Sequence, residues 1–581
     1  MTSGAKPGFT KPGFTKTGLA LLLFAASLIT LVTITQQVTL AQPTIALTDA
    51  QHACSSTPAW STCDLAFDLE PGDNAAALQL RAEFQSPHHR TYLMYAFQDS
   101  ERRFIIRVAP TEAGTWFYRL TSNLPRLDGK EGQFTATESD SPGFVRVANV
   151  HHFMTEGNSK QHLWMATALD HFATIPRAEF DRIVAQRAAE KFTHVRVTIE
   201  RSDDLREAAD RLRAINARGM TADLALSSTL PLPGDRAERQ RYLTDFICRF
   251  APMNLTWLGL APFEDVAHGR AILKEFGDLL KKYDPYNHPR TTLASFTSAA
   301  LLGDGWMTML SYGTPDPNVG AVEHQLYQSP AIETGIKNER DLWMATMNGQ
   351  YPASGSGEYM TAWFEFMAGN RYWELEPYFG VDGGRAIALE GIEYIVYIDK
   401  PGPVEVTVEH HGYDVAWINP ANGERIKAKG YSGEHFTGEA PDKSHPWVLH
   451  ISREGTKEGM LKSYKFESRT VPVQEVEQSP EKTPFEIALP DKHELSISHP
   501  PYFAIKVKRE SRATRSLLIE WTAEAVVHGE GYRVVGVGRE GTMQVSPLIA
   551  SDLPAVGTLR MSILNANGKA YVVDKVVSLV P

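Results

Sequence analysis

THVRVTIERSDDLREAADRLRAINARGMTADLALSS, residues 193–228, reads as a strand, a helix and a second strand in direct succession. THVRVTIE and TADLALSS are the strands, and DLREAADRLRAINARG between them is the helix, with Gly219 as its stop. Strand–helix alternation is the mark of a parallel sheet. It continues in both directions. Upstream, LWMATALDHF reads as strand one, and PRAEFDRIVAQRAAEKF as an amphipathic helix with Phe180, Ile183, Val184 and Arg187 at helical spacing. Downstream, the helix DRAERQRYLTDFICRFAP leads to strand four, NLTWLGLAPFED, and its helix GRAILKEFGDLLKKYDP. RTTLASF, WMTMLSYGTP and SPAIETG follow as strands five to seven, NERDLWMATMNGQYP as a helix, and TAWFEFMAG as strand eight. Eight strands predict a (β/α)8 TIM-type barrel over residues 150–385. An open doubly wound sheet is the competing fold, but no Gly-rich phosphate loop follows strand one.

Outside the barrel the period changes to two, giving a multidomain chain in which β-sandwich domains flank a central barrel. Short alternating runs (LQLRAEF, RTYLMYAF, RFIIRVAP, TWFYRLTS) predict an antiparallel sandwich at 55–145, its core filled by Trp116. RAIALEGIEYIVYI, VEVTVEHHGYDVAWINP and PWVLHIS predict a second sandwich at 386–465. Residues 466–495, rich in Pro and charge, read as a linker, and 496–581 as an immunoglobulin- or fibronectin-like β-domain. Residues 1–41 carry Lys6, Lys11 and Lys16 ahead of an apolar run, and Ala41 closes a small-residue site. That order predicts a secretory signal peptide, with an uncleaved anchor as the alternative and the only route to a membrane contact. Either way the rest is expected outside the cytoplasm, as a secreted, periplasmic or cell-surface protein.

With a net charge of −11 the chain would repel phosphate backbones, so no nucleic-acid partner is expected. Cys54 and Cys63 are close enough in sequence to form a loop disulfide in an oxidising compartment, while Cys248 reads as a buried thiol. No Cys/His cluster has zinc spacing, and the pairs His88–His89 and His151–His152 read as loop residues. No metal or organic cofactor is expected.

Reactive groups in such barrels sit at the C-terminal ends of the strands, which reduces 69 acidic residues to a few. Strand four ends in Glu264 and Asp265, strand seven in Glu333, strand two in Glu200, and strand one in Asp170 and His171. Cleaving a glycosidic bond takes one carboxylic acid to protonate the leaving oxygen and a second carboxylate to meet the developing oxocarbenium centre. Glu264 is therefore expected as acid/base and Glu333 as nucleophile. Asp265 either replaces Glu264 or caps the following helix. Asp170 and His171 either bind sugar hydroxyls or fix their loop. Glu200 either lines the substrate site or pairs with Arg201 or Arg196. Arg196 either neutralises a catalytic carboxylate or makes a structural ion pair. Tyr312, Trp363 and Trp373 either line a sugar subsite or pack in the core.

Three motifs carry a resemblance. GLAPFEDVAHGRAILKEFGDLLKKYDPYNHPRTT, SPAIETGIKNERDLWMATMNGQYP and YDVAWINPANGE make residues 150–453 resemble the apiosidase-like glycoside hydrolases. Many members of that family have a C-terminal domain with a collagen-binding label. RFIIRVAPTEAGTWFYRLTSN resembles the accessory sandwich in front of such barrels. The resemblance implies a retaining glycosidase with its carboxylates on strands four and seven, which map to Glu264 and Glu333. It departs from the pattern at Phe263, where related barrels have Asn or Gly before the acid. The expected substrate is a plant or microbial poly- or oligosaccharide. The alternative is a non-catalytic carbohydrate- or matrix-binding surface protein with a degenerate barrel.

Overall fold

The computed structural model describes residues 53–453 except 265, 267, 296 and 314–318. Beyond 453 it describes only the backbone of strands between 476 and 580, and for residues 300, 319, 322, 325 and 326 also only the backbone. The segment expected to be a leader and Asp265 therefore lie outside the described residues. No described helix is long and apolar enough to cross a membrane.

The N-terminal strands form two stacked sheets. Five strands run in the order Ser56–Pro58, Glu131–Thr137, Gly114–Ser122, Leu80–Gln85, Thr91–Tyr95. Three more run Cys63–Asp68, Arg103–Val108, Phe97–Ser100. Leu80–Gln85 alternates buried and exposed residues along its whole length, as a strand with one wet face must. Trp116 is fully buried between Tyr92 and Phe134, and Cys54 and Cys63 are joined in a disulfide, as expected.

The central region bears out most of the helix–strand reading. Its helices are α1 (Arg177–Ala189), α2 (Leu205–Asn216), α3 (Arg236–Phe250), α4 (Gly269–Tyr283), α5 (Val319–Leu326), α6 (Glu339–Met347) and α7 (Glu358–Ala368). Asp204 and Asp235 cap α2 and α3, each accepting from backbone N–H groups of the first turn. Gly219 takes a φ of +78° after α2, where a Cβ would be strained. Strands Ala166–Ala168, His194–Ile199, Thr221–Ser227 and Leu255–Ala261 form one parallel sheet in sequence order. Leu310–Tyr312, Ala331–Glu333 and Gln350–Pro352 form a second parallel sheet. Residues 290–293 lie between the two sheets. Arg290 bridges in parallel to Trp257 and accepts from Thr308 and Met309 N–H.

Two expectations fail here. RTTLASF is extended but forms no ladder beyond that bridge. TAWFEFMAG is not the eighth strand: residues 358–368 are α7, and the strand that follows Ala331–Glu333 in its sheet is Gln350–Pro352, directly after α6. Among the described residues no ladder joins this stave to the first.

The second β-domain also differs in detail. Its eight strands make one sheet, not two, turning about the long strand Pro403–Ile418. That strand pairs with Tyr431–Glu439 along one half and Trp447–Arg453 along the other. A register irregularity falls between Thr407 and His411. Part of the expected linker is sheet: Phe485–Ala488 pairs with Tyr502–Val507, and Val476–Glu477 and Glu494–Ser496 pair with Ala570–Val580. The rest of 466–495 lies outside the described residues.

A polar seam locks the N-terminal sandwich to α3. Arg107 grips Asp64 with two bonds of 2.7 and 2.8 Å and donates a third, 2.9 Å, to the Arg249 carbonyl. Cys248 is buried beside the seam, and burial pushes its thiol up, which suits packing and not nucleophilic attack. Asp245, also on α3, is raised to about 6 by burial, against the Gln98 backbone N–H and the charges of Arg249 and Arg241. Its unfolded value is about 3.9, so the unfolded chain ionises first as pH rises. The native state is therefore penalised progressively between about pH 4 and pH 6, and fully above that. Asp245→Asn is expected to raise stability by about 3 kcal/mol at pH 7.5 and by little at pH 4. Urea denaturation at the two pH values measures this, and an equal gain at both would remove the titration argument.

Candidate active site

A cavity of about 990 Å3 opens where the parallel strands end. Each stave from the first to the seventh contributes at its C-terminal end. The first gives Asp170 and His171, the second Thr198, Glu200, Ser202 and Asp203, and the third Ser227 and Thr229. Ala261, Pro262 and Glu264 follow from the fourth, Leu293 to Ser295 from the fifth, then Gly313 and Thr334. The described wall is hydroxyls and carboxylates over a few small apolar groups. His171 contributes the one aromatic ring among these residues.

Glu264 is held by its neighbours. Its Oε1 accepts from the Ser295 N–H at 2.9 Å and from the Ser295 hydroxyl at 3.0 Å. Two donors on one oxygen fix the carboxylate plane. The local fold that delivers Glu264 begins with a bulge. Between Leu224 and Leu226 the register with the fourth strand shifts, and Gly259, with a φ of +58°, absorbs the extra residue. A Cβ on Gly259 would come within 2.9 Å of Leu273 and 3.1 Å of the Thr291 carbonyl. After a cis Ala261–Pro262 bond the chain turns into α4, where a Cβ on Gly269 would strike the Phe263 carbonyl at 1.9 Å.

Glu333 ends the seventh strand with 1% of its surface exposed, and Gly335 N–H donates to its Oε1 at 2.7 Å. Its successor Thr334, and not Glu333, forms the cavity wall. Arg196 is half-buried and reaches the Thr334 carbonyl with Nη1 at 3.4 Å. Burial lowers its guanidinium, while the charges of Asp170 and Asp223 work the other way. Asp170 and His171 are exposed at the rim, and Glu200 donates its N–H to the Asp203 carboxylate at 2.8 Å. Asp203 was not among the expected residues. Its signal in the sequence is the acidic pair Asp203–Asp204, of which only Asp204 is taken up by the helix cap.

The three aromatic candidates are not brought to the cavity. Tyr312 is buried, and its hydroxyl donates to Glu323, a fully buried carboxylate on α5 that also accepts from Thr297 at 2.7 Å. Trp363 sits on α7 and donates its indole N–H to Thr346 of α6 at 2.9 Å. Trp373 is buried in a short 3-10 turn against Tyr372. Both tryptophans fill the core because the segment before them is helix and short turn, so no strand end presents them. Of the pair read as loop residues, His151 does lie in a turn, whereas His152 begins the strand His152–Thr155, and both are buried against Glu376.

Comparison with known proteins bears on the fold. A family profile described as "Domain of unknown function (DUF5060)" matches residues 56–123, within the N-terminal sandwich. No curated protein matches the sequence. A crystal structure from Bacteroides vulgatus, provisionally described as a glycoside hydrolase, is similar at 15% identity and a TM-score of 0.54. The match covers 69% of this chain and all of that one. A second B. vulgatus protein, described as a family 5 glycoside hydrolase, matches at 13% identity and a TM-score of 0.45, over 57% of this chain and 97% of that one. The chain thus has a multidomain, glycoside hydrolase-like fold.

The reassignment of Tyr312 has a direct consequence. Tyr312→Phe removes one of the donors to a buried carboxylate, a change worth about 2 kcal/mol. Denaturation is expected to register that loss, while glycan binding at a permissive temperature stays as in the parent. A binding defect without a stability defect would return Tyr312 to the substrate site.

Proposed function

We propose that this chain is an exported glycoside hydrolase that cleaves O-glycosidic bonds of a plant or microbial polysaccharide. The observation that supports it best is Glu264, oriented by two donors from Ser295, on the wall of a hydroxyl-lined cavity at the strand ends. On this reading the eight staves form a (β/α)8 barrel, and the chain belongs near the apiosidase-like enzymes through the motifs around Glu264 and Glu333.

Glu264 protonates the leaving oxygen and later withdraws a proton from water. Glu333 attacks the anomeric carbon, and net retention follows from two inversions. That chemistry asks for carboxyl groups about 5 Å apart. Glu333 has to reach the sugar past Thr334, along the wall that Arg196 holds through the Thr334 carbonyl. A second reading has its own support. Glu200 and Asp203 line the cavity together with Glu264, whereas Glu333 does not, so one of them could activate a water in an inverting mechanism.

A glycan panel with variants and product stereochemistry separates the readings. Glu264→Gln is expected to lower kcat by about 1,000-fold, the scale of a lost general acid. Under the retaining reading Glu333→Gln falls as far, and the first product keeps its anomeric configuration by NMR. Loss in Glu200→Gln or Asp203→Asn, with Glu333→Gln active and the product inverted, transfers the role. Binding of a glycan by the parent without hydrolysis of any would make this a carbohydrate-binding surface protein.

A further inference from the structure

Away from the cavity, four residues from three distant segments converge. His151 and His152 lead into the strand His152–Thr155, His324 is on α5, and Glu376 begins the strand Glu376–Tyr378. We propose that His151, His324 and Glu376 bind a divalent transition-metal ion of the zinc class, with His152 holding the carboxylate from behind.

The geometry supports this in several independent ways. One donor atom from each of the three ligands lies within 4.8 Å of the others. His151 Nδ1 is 3.1 Å from Glu376 Oε2, and His324 Nε2 contacts the same oxygen. A tetrahedral zinc with bonds of about 2.0–2.1 Å sets its ligand atoms roughly 3.3 Å apart. The two imidazole rings have centroids 3.7 Å apart and planes tilted by 38°, and a nitrogen of each is directed at the same carboxylate oxygen.

Proton positions point the same way. His151 Nε2 is 3.0 Å from the Tyr327 carbonyl, an oxygen that can only accept. The ring proton therefore sits on Nε2, and in the neutral imidazole Nδ1 presents a lone pair to Glu376 Oε2. Two acceptors facing each other are reconciled by a metal cation or by a second ring proton, and the metal is the reading proposed. An imidazole whose far N–H is fixed by a backbone carbonyl is also the usual outer arrangement of a metal-bound histidine. His152 repeats the pattern one step out: Nδ1 bonds the Tyr351 hydroxyl at 2.6 Å, and Nε2 faces Glu376 Oε1 at 3.6 Å.

The pocket is built for the second ring. Gly349, with a φ of +74°, lies against His324, and a Cβ there would come within 2.6 Å of its Cε1 and Nδ1. Both ligand histidines are 6% exposed. Two imidazoles and one carboxylate match zinc and its neighbours, and do not match calcium or magnesium, which take oxygen donors. A metal here would fasten the strand after the N-terminal sandwich to α5 and to the start of the second β-domain. None of the four residues lines the cavity, so the site is structural and independent of the proposed hydrolysis.

The test uses the full chain, stripped with a chelator, dialysed, and titrated with zinc chloride alone. One zinc per chain is expected by calorimetry and elemental analysis. Thermal unfolding should shift up by roughly 5 °C at a hundredfold excess over Kd. His324→Gln and Glu376→Gln should lose both the bound zinc and the shift. His410→Gln, an exposed histidine in the second β-domain, should keep both. A stripped parent that takes up no zinc overturns the proposal, whether or not the variants fold. So does zinc held equally by the parent and His324→Gln, which would place the metal elsewhere.

Discussion

A buried imidazole–carboxylate pair inside the parallel sheet sets the terms for the rest of the central region. His194 and Asp223 are both fully buried, bonded at 2.6 Å, and Thr256 adds a 2.7 Å bond to the same carboxylate oxygen. Three neighbouring strands are thereby tied by side chains as well as by their ladders. Trp164 stacks on the His194 ring at 3.7 Å, and His162 shares a 2.8 Å bond with its far nitrogen. Burial, and then the neighbouring His194, hold the His162 imidazole well below the usual histidine range. His194 and Thr256 both serve the Asp223 Oδ1 atom, and a misplaced strand would leave that buried charge without its donors. Register is specified accordingly.

The same alternation that buries His194 carries chemistry to the cavity. Along the second strand His194, Arg196 and Thr198 share one face, and Glu200 continues it past the strand end. The lower members build the buried network, Arg196 spans to the seventh stave, and Thr198 and Glu200 line the cavity. Val195, Val197 and Ile199 are buried on the other face. Polar inside and apolar outside is the reverse of an ordinary one-sided strand, and it is stable here because helices cover the outer face.

That reversal explains what could be read from the chain and what could not. Helices α1 to α4 and the second to fourth strands were legible because each is long enough to show its period, and Asp204, Asp235 and Gly219 punctuate them. The later staves have three residues each, too few for any period, and TAWFEFMAG is so apolar that strand and helix patterns coincide. Trp363 was misplaced for that reason alone. Of the candidate site, the strand-end rule names Glu264, Glu200, Asp170 and His171, which line one cavity, and Glu333, which is buried behind the wall residue Thr334. The His151 cluster was out of reach, because its carboxylate is 225 positions from His151 and no spacing rule spans such a gap.

The composition of the cavity wall constrains how any sugar could be recognised. Flat aromatic faces bind sugars through their apolar C–H surfaces and discriminate weakly among hydroxyl patterns. The described wall instead offers Thr198, Ser202, Ser227, Thr229 and Ser295 among four carboxylates. Groups of this kind are solvated when the cavity is open and must be re-paired when a ligand expels the water. A ligand lacking one hydroxyl leaves a buried partner unsatisfied, which costs far more than losing one apolar contact. On the proposed reading, a site so built favours a substrate whose hydroxyls match it one by one. Phe263 sits just before Glu264 with 1% of its surface exposed, so it packs under the turn and offers the sugar nothing. On the proposed glycosidase reading, the hydroxyls around it do the work of an amide at that position, Ser295 first, since that side chain already bonds the Glu264 carboxylate.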